Sequence, residues 1–218
     1  MTRRSFGKPA PARRGPTPRG ISMPPSGEGS GSAAASDGSL EEDPLDRLGY
    51  VRERIRAVPD FPKPGILFRD ITPLLGDPRA FHMVIDALVE QFIGHEIDAV
   101  VAIDSRGFIF GAPLASRLNT SFVPARKPGK LPAETVSVAY ALEYGQASLE
   151  MHKDALSSGD KVIVIDDLLA TGGTAAAAGE LVISQGAEVL AYAFVIELDA
   201  LAGRAKLEPA PVVSLLHF

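Results

Sequence analysis

Two adjacent aspartates, Asp166 and Asp167, close the apolar run 162–165, and Ala170-Thr171-Gly172-Gly173-Thr174 follows two leucines later. Carboxylates at the end of a buried strand suit hydroxyls or a cation and would repel a phosphate. A glycine-rich helix start does the opposite, because its unpaired amides and partial positive charge attract anions. Gly172 and Gly173 admit close backbone approach, and Thr171 and Thr174 can add hydroxyl donors. Together the two halves fit a sugar phosphate, with its diol on the acids and its phosphate on the amides. The stretch is not a P-loop, since no Lys-Ser or Lys-Thr closes it, and it lacks the G-x-G-x-x-G dinucleotide pattern. Two solvated acids before a glycine-rich helix start remain the plainer alternative.

Other residues invite a chemical reading less directly. In "DSRGF", Arg106 precedes Gly107 where a strand gives way to a helix, and an arginine there can clamp phosphate oxygens in two places. A structural ion pair would explain it equally. Arg126, Lys127 and Lys130 surround Pro128-Gly129, which by itself describes a solvated loop. Glu143 in "LEYG" could move a proton or be a surface acid, and periodicity alone cannot separate Phe68 from the core. The four histidines (82, 95, 152 and 217) are scattered and suggest no ligand set. The chain has no cysteine, so it has neither a disulfide framework nor a thiolate metal site.

The elements that must position these residues follow from hydrophobic patterning. Leu45, Leu48, Val51, Ile55 and Val58 have helical spacing over 44–58. A stronger helix is expected over 77–93, with Asp77 as its cap and Pro78 in its first turn. Strands are expected at 98–104, 121–125, 134–145, 161–167 and 188–198, and helices at 108–118, 174–186 and near 199–206. Residues 146–156 fit strand or helix. Continuous apolar strands alternating with helices imply an α/β fold, a mostly parallel sheet covered on both faces. Ligands of such sheets bind beyond the carboxyl ends of the strands, where Asp166 and Asp167 stand.

The 218 residues are 45% apolar and carry a net charge of −5. Residues 1–22 hold six basic residues and no acid, leaving 16 basic against 27 acidic residues in the rest. An acidic body argues against nucleic acid as the main ligand. No apolar run approaches the ~20 residues that span a bilayer, so no membrane partner is expected. Residues 1–46 are rich in Pro, Gly, Ser and Ala and read as a disordered tail before one domain at 47–218. The basic start could be an inert tail, a targeting peptide or an interaction arm, and Met23 competes with Met1 as the true start.

The stretch 162–179 resembles the phosphoribosyl-diphosphate (PRPP) signature of type I phosphoribosyltransferases. Further segments, "FPKPGILFRDITPLL", "AIDSRGFIFGAPLA", "ARKPGKLP", "LEYG" and "SLEMHKDAL", resemble the adenine-specific branch of that family from about residue 49 to 218. The resemblance implies the type I fold with a small hood and a mobile lid hairpin. It implies the reaction adenine + PRPP ⇌ AMP + diphosphate, a step of purine salvage. It puts Asp166 and Asp167 on the ribose hydroxyls and 170–174 on the 5′-phosphate. Asp104, Ser105, Arg106, Arg126, Lys127 and Lys130 would meet the diphosphate, with a cis peptide between Asp104 and Ser105. Phe68 would stack on adenine, the backbone of Leu67 and Arg69 would read its edge, and Leu168 would pack on the other face. Glu143, Arg106 and Lys130 would be catalytic, Glu143 by proton transfer near the base. Mg²⁺ would come with PRPP and touch Asp166 and Asp167 through water at most. A homodimer in the cytoplasm is implied the same way. The competing readings are a guanine, xanthine or orotate transferase and a PRPP-sensing regulator of the same fold.

Overall fold

The computed structural model describes residues 44–141 and 146–218. The basic start with Met1 and Met23, nearly all of the expected tail, and Glu143 with its "LEYG" neighbours lie outside the described residues.

Two βα units build the centre. Strand β3 (Ala99–Ile103) leads into helix α4 (Gly107–Leu118) and strand β4 (Ser121–Ala125). Strand β7 (Lys161–Leu169) leads into helix α5 (Gly173–Ser184) and strand β8 (Glu188–Glu197). With β9 (Val212–His217) they form a five-stranded parallel sheet in the order β4–β3–β7–β8–β9. The first unit winds outward to one side and the second to the other, so the strand order reverses between β3 and β7. That reversal opens a crevice at the carboxyl ends of these two strands.

Alternation along the strands makes two cores. Val100, Ala102, Ile163 and Ile165 face one side, against α1 (Pro44–Arg52), α3 (Pro78–Glu90) and α4. Ala99, Val101, Ile103, Val162 and Val164 face the other, against α5. Val162 to Ile165 are completely buried, and each such side chain contributes about 1.5–3 kcal/mol. The second face is also covered by an antiparallel hairpin, β5 (Thr135–Ala141) with β6 (Gln146–His152). Leu149 and Met151 of β6 are buried in that core, so the base of the expected lid belongs to the body.

A second hairpin, β1 (Arg56–Pro59) with β2 (Leu67–Asp70), forms its own two-stranded sheet and leads into α2 (Thr72–Leu75). Here the structure departs from the 44–58 helical spacing. The helix ends at Arg52, Ile55 remains in the core, and Val58 joins a strand paired with Phe68. Pairing with β2 overrides the local apolar period. Helix α1 begins at Pro44, within the segment assigned to the tail. Residues 146–152, open between helix and strand, are strand because β5 pairs with them. Strand β7 extends to Leu169, so both aspartates lie within it. The expected helix near 199–206 is two short 3₁₀ turns, Asp199–Leu201 and Gly203–Lys206. The cap of α3 is as expected: Asp77 accepts from the amides of Arg79 and Ala80, with Pro78 in the first turn.

Candidate active site

The crevice between β3 and β7 gathers the chemistry-bearing residues. Arg106 follows β3, and its Nε lies 2.8 Å from Oδ2 of Asp167 in β7. The Asp167 side chain is 3% exposed, whereas that of Arg106 is 47% exposed, so the guanidinium covers a buried carboxylate from the solvent side. Asp166 accepts from the amide of Asp167 at 2.9 Å. Burial, reinforced by the charge of Asp167, holds the Asp166 carboxyl well above the ordinary aspartate range. Two adjacent acids so placed offer acceptor oxygens to which a vicinal diol could donate. The Asp104–Ser105 peptide is cis.

The loop 170–174 closes the crevice on one side. It lines a cavity of about 210 Å³ together with Arg106, Asp166, Asp167, Leu168 and Phe194. No side chain caps the start of α5, and Gly172 before it has φ +79°, a conformation that favours glycine. A Cβ on Gly172 would strike the Gly203 carbonyl, so the loop is braced backbone to backbone by the second 3₁₀ turn. That turn is tied down by Arg204, which donates to Glu197 and, at 2.7 Å, to the Val212 carbonyl. Opposite the loop, Gly107 starts α4, also without a side-chain cap. A Cβ there would lie 2.8 Å from the Ile165 carbonyl and 3.1 Å from Asp166 Oδ1, so only glycine brings this helix against the acids.

On the other side of Arg106 lies a larger cavity of about 450 Å³, lined by Val58, Phe61, Phe68, Asp70, Ile71, Thr72, Leu75 and Arg106. Phe61 meets Phe68 edge to face at 5.1 Å, and the Arg106 guanidinium lies 5.8 Å from the Phe68 ring. This apolar, aromatic lining suits a flat heterocycle. Asp70 is held down to about 2, first by hydrogen bonds from Thr72 and then by Arg56. It therefore stays ionised and fastens β2 to β1 and to α2.

Among the described residues, Arg106 alone lines both cavities. Leu168 lines the loop-side cavity, whereas Leu67 is exposed and the Arg69 side chain turns away to Phe218. Arg126 reaches Asp104 at 3.3 Å and the Lys130 carbonyl at 3.1 Å, while Lys127 and Lys130 are exposed beyond both cavities. Ser105 is exposed beside them. Sequence reasoning missed Glu150, which bridges Arg126 through two backbone hydrogen bonds and accepts from the Gly129 amide at 3.1 Å. Alternation along β6 was the available signal, but it needed the pairing partner. Val58, Phe61 and Leu75 were missed as lining residues because apolar types read as core.

The phosphoribosyl transferase domain family matches residues 75–214. An adenine phosphoribosyltransferase of Sorangium cellulosum is 61% identical over 176 residues, covering 78% of this chain and 88% of that one. One from Anaeromyxobacter dehalogenans is 60% identical over 171 residues, 78% of this chain and 99% of its own. Among solved structures, the adenine phosphoribosyltransferase of Thermoanaerobacter pseudethanolicus matches with a TM-score of 0.77 at 52% identity, over 78% of this chain and 99% of that chain. That of Saccharomyces cerevisiae, complexed with an imino-altritol bisphosphate and adenine, matches at 0.75 and 46% identity, over 78% and 99%.

Proposed function

The chain belongs to the adenine phosphoribosyltransferase family, and from that premise we propose that its site transfers the phosphoribosyl group of PRPP to adenine, releasing diphosphate and forming AMP. The observation that carries this reading is the shared arginine. Arg106 lines both the carboxylate-and-loop cavity and the aromatic cavity, so a sugar phosphate and a base would meet at it. The yeast relative complexed with adenine and a bisphosphate agrees with such a pairing.

Each step then has a residue. Asp166 and Asp167 accept the ribose hydroxyls, and the amides of 170–174 with the Thr171 and Thr174 hydroxyls hold the 5′-phosphate. Adenine lies under Phe68, with Leu168 on its far face and the backbone of Leu67 and Arg69 at its edge. N9 attacks C1′ as diphosphate leaves, and positive charge builds on the ribose ring in the transition state. Arg106, Arg126, Lys127 and Lys130 stabilise the leaving diphosphate, with Asp104 and Ser105 at the turn that presents it. Arg126 is already held by Asp104, so this carboxylate orients a cation. Glu143 exchanges a proton with a base nitrogen, a role that rests on the resemblance alone.

Asp166 and Asp167 offer hard oxygens suited to Mg²⁺. Among the described residues, the one grouping of three metal-ligating side chains is elsewhere, two carboxylates and an imidazole at Glu197, Asp199 and His217. The fit is therefore to an ion held chiefly by substrate oxygens and water. When bound, it would neutralise charge on the diphosphate. A homodimer and a cytoplasmic setting complete the reading by resemblance, and the tail at 1–46 completes it by composition.

The test is an assay of the purified chain with PRPP and, separately, adenine, hypoxanthine, guanine and orotate. AMP formation from adenine alone is expected. Turnover of hypoxanthine or orotate alone would overturn the base assignment. PRPP binding without any turnover would favour a sensing regulator.

A further inference from the structure

We propose that Phe218 is a positioning residue for base recognition, holding the β1–β2 hairpin over the sheet through Arg69. This rests on the reading of that hairpin as the hood over adenine. The Phe218 backbone is fixed on the sheet: its amide donates to the Glu197 carbonyl at 2.9 Å, and its carbonyl accepts from Asp199 at 3.0 Å. Two guanidinium groups face its ring, Arg52 at 4.6 Å and Arg69 at 4.2 Å from the centroid. Arg52 also donates to the His217 carbonyl at 3.0 Å.

These two arginines flank the hood. Arg52 is the last residue of α1, just before the hairpin, and Arg69 is in its second strand. Phe218 therefore clamps the entrance and the return of the same segment. A two-stranded hairpin is marginal alone, so its attitude depends on such anchors and on Ile71, buried in the core at its end. Successive side chains of a strand point to opposite faces. With Arg69 drawn to Phe218, Phe68 faces the aromatic cavity, and the backbone between them is held at the base edge.

Phe218→Leu keeps apolar bulk but removes the π face, whereas Phe218→Tyr retains it. In steady-state kinetics, Phe218→Leu should raise KM for adenine about two- to fivefold, as loss of the Arg69 cation–π contact, the one that reaches β2, would. KM for PRPP should be unchanged, and Phe218→Tyr should restore the adenine value. A wild-type adenine KM in Phe218→Leu overturns the proposal. So does a parallel rise in both KM values with a fall in Tm, which would mark a packing role only. Phe68→Ala separates the two levels. An unchanged adenine KM in that variant removes the hood reading and the clamp with it. A raised KM there beside a wild-type Phe218→Leu removes the clamp alone.

Discussion

The two cavities that share Arg106 are built by opposite means. The loop-side cavity is made of backbone and buried carboxylates on the central strand of a five-stranded sheet. Its loop is braced by a second stretch of backbone at Gly203, and that stretch is pinned by the Arg204–Glu197 pair. The aromatic cavity is made of side chains from a separate two-stranded hairpin, much of it exposed and fastened by ring and cation contacts, together with α2 and Arg106. Phosphate has one shape and heavy charge, so rigid amides suit it. A planar base offers faces and edges, which apolar side chains on a lighter frame can cover. The difference teaches that a substitution on either side should act mainly on one substrate: changes to the carboxylates or the braced loop on PRPP, changes to the aromatic lining on adenine.

The sharpest break should come from Asp167→Ala, which removes a diol acceptor and leaves Arg106 without its partner. A fall of about 10³-fold in kcat/KM for PRPP is expected, from about 4 kcal/mol of lost interaction, read by initial rates. A fall of less than tenfold would show that the acids do not hold the ribose. Next, Gly172→Ala drives a Cβ into the Gly203 carbonyl at a left-handed φ. It should raise KM for PRPP about 10²-fold, at roughly 3 kcal/mol of strain, while adenine binding by calorimetry persists. Equal damage to both substrates would dissolve the contrast. Phe68→Ala should do the reverse, raising KM for adenine about tenfold through loss of stacking and sparing PRPP.

The smallest effect concerns stability without substrate. The Asp166 carboxyl is raised above its unfolded value by burial, so the folded state keeps a proton that the unfolded state loses. Its stabilising contribution is complete below the ordinary aspartate range and is lost as pH rises through the raised value. Asp166→Asn should therefore lift Tm of the unliganded protein at neutral pH by about 2–4 °C and flatten its decline with pH, while impairing PRPP use. Thermal melts from pH 4 to 8 check the sign, and an unchanged slope would place the burden on another group.

The same contrast explains what the sequence disclosed. An anion-binding helix start is read from contiguous residues, so 170–174 and the flanking acids stood together as a motif, and β7 and α5 were legible within two residues. The full burial of 99–103 and 162–165 likewise follows directly from their continuous apolar runs. The aromatic cavity was not legible as a unit, because Val58, Phe61 and Leu75 are ordinary core types until a fold surrounds them. The Arg52–Phe218 contact spans 166 positions, and no local period reports it. The end of α1 at Arg52 was hidden for the same reason: the strand that replaces the helix depends on a partner ten residues on.

Arg106 stands on the boundary of both cavities, so a change in its engagement on one side bears on the other. In the free protein its guanidinium is engaged by Asp167 while standing 5.8 Å from the Phe68 ring. On the proposed reading, hydroxyls bound at Asp167 would compete with that engagement and so change what the guanidinium offers to its other neighbour. By reciprocity, occupation of the aromatic side alters the affinity of the carboxylate side by the same factor. Whatever coupling passes through this one arginine would be felt equally by both substrates, beside the larger one-sided effects expected at Asp167, Gly172 and Phe68.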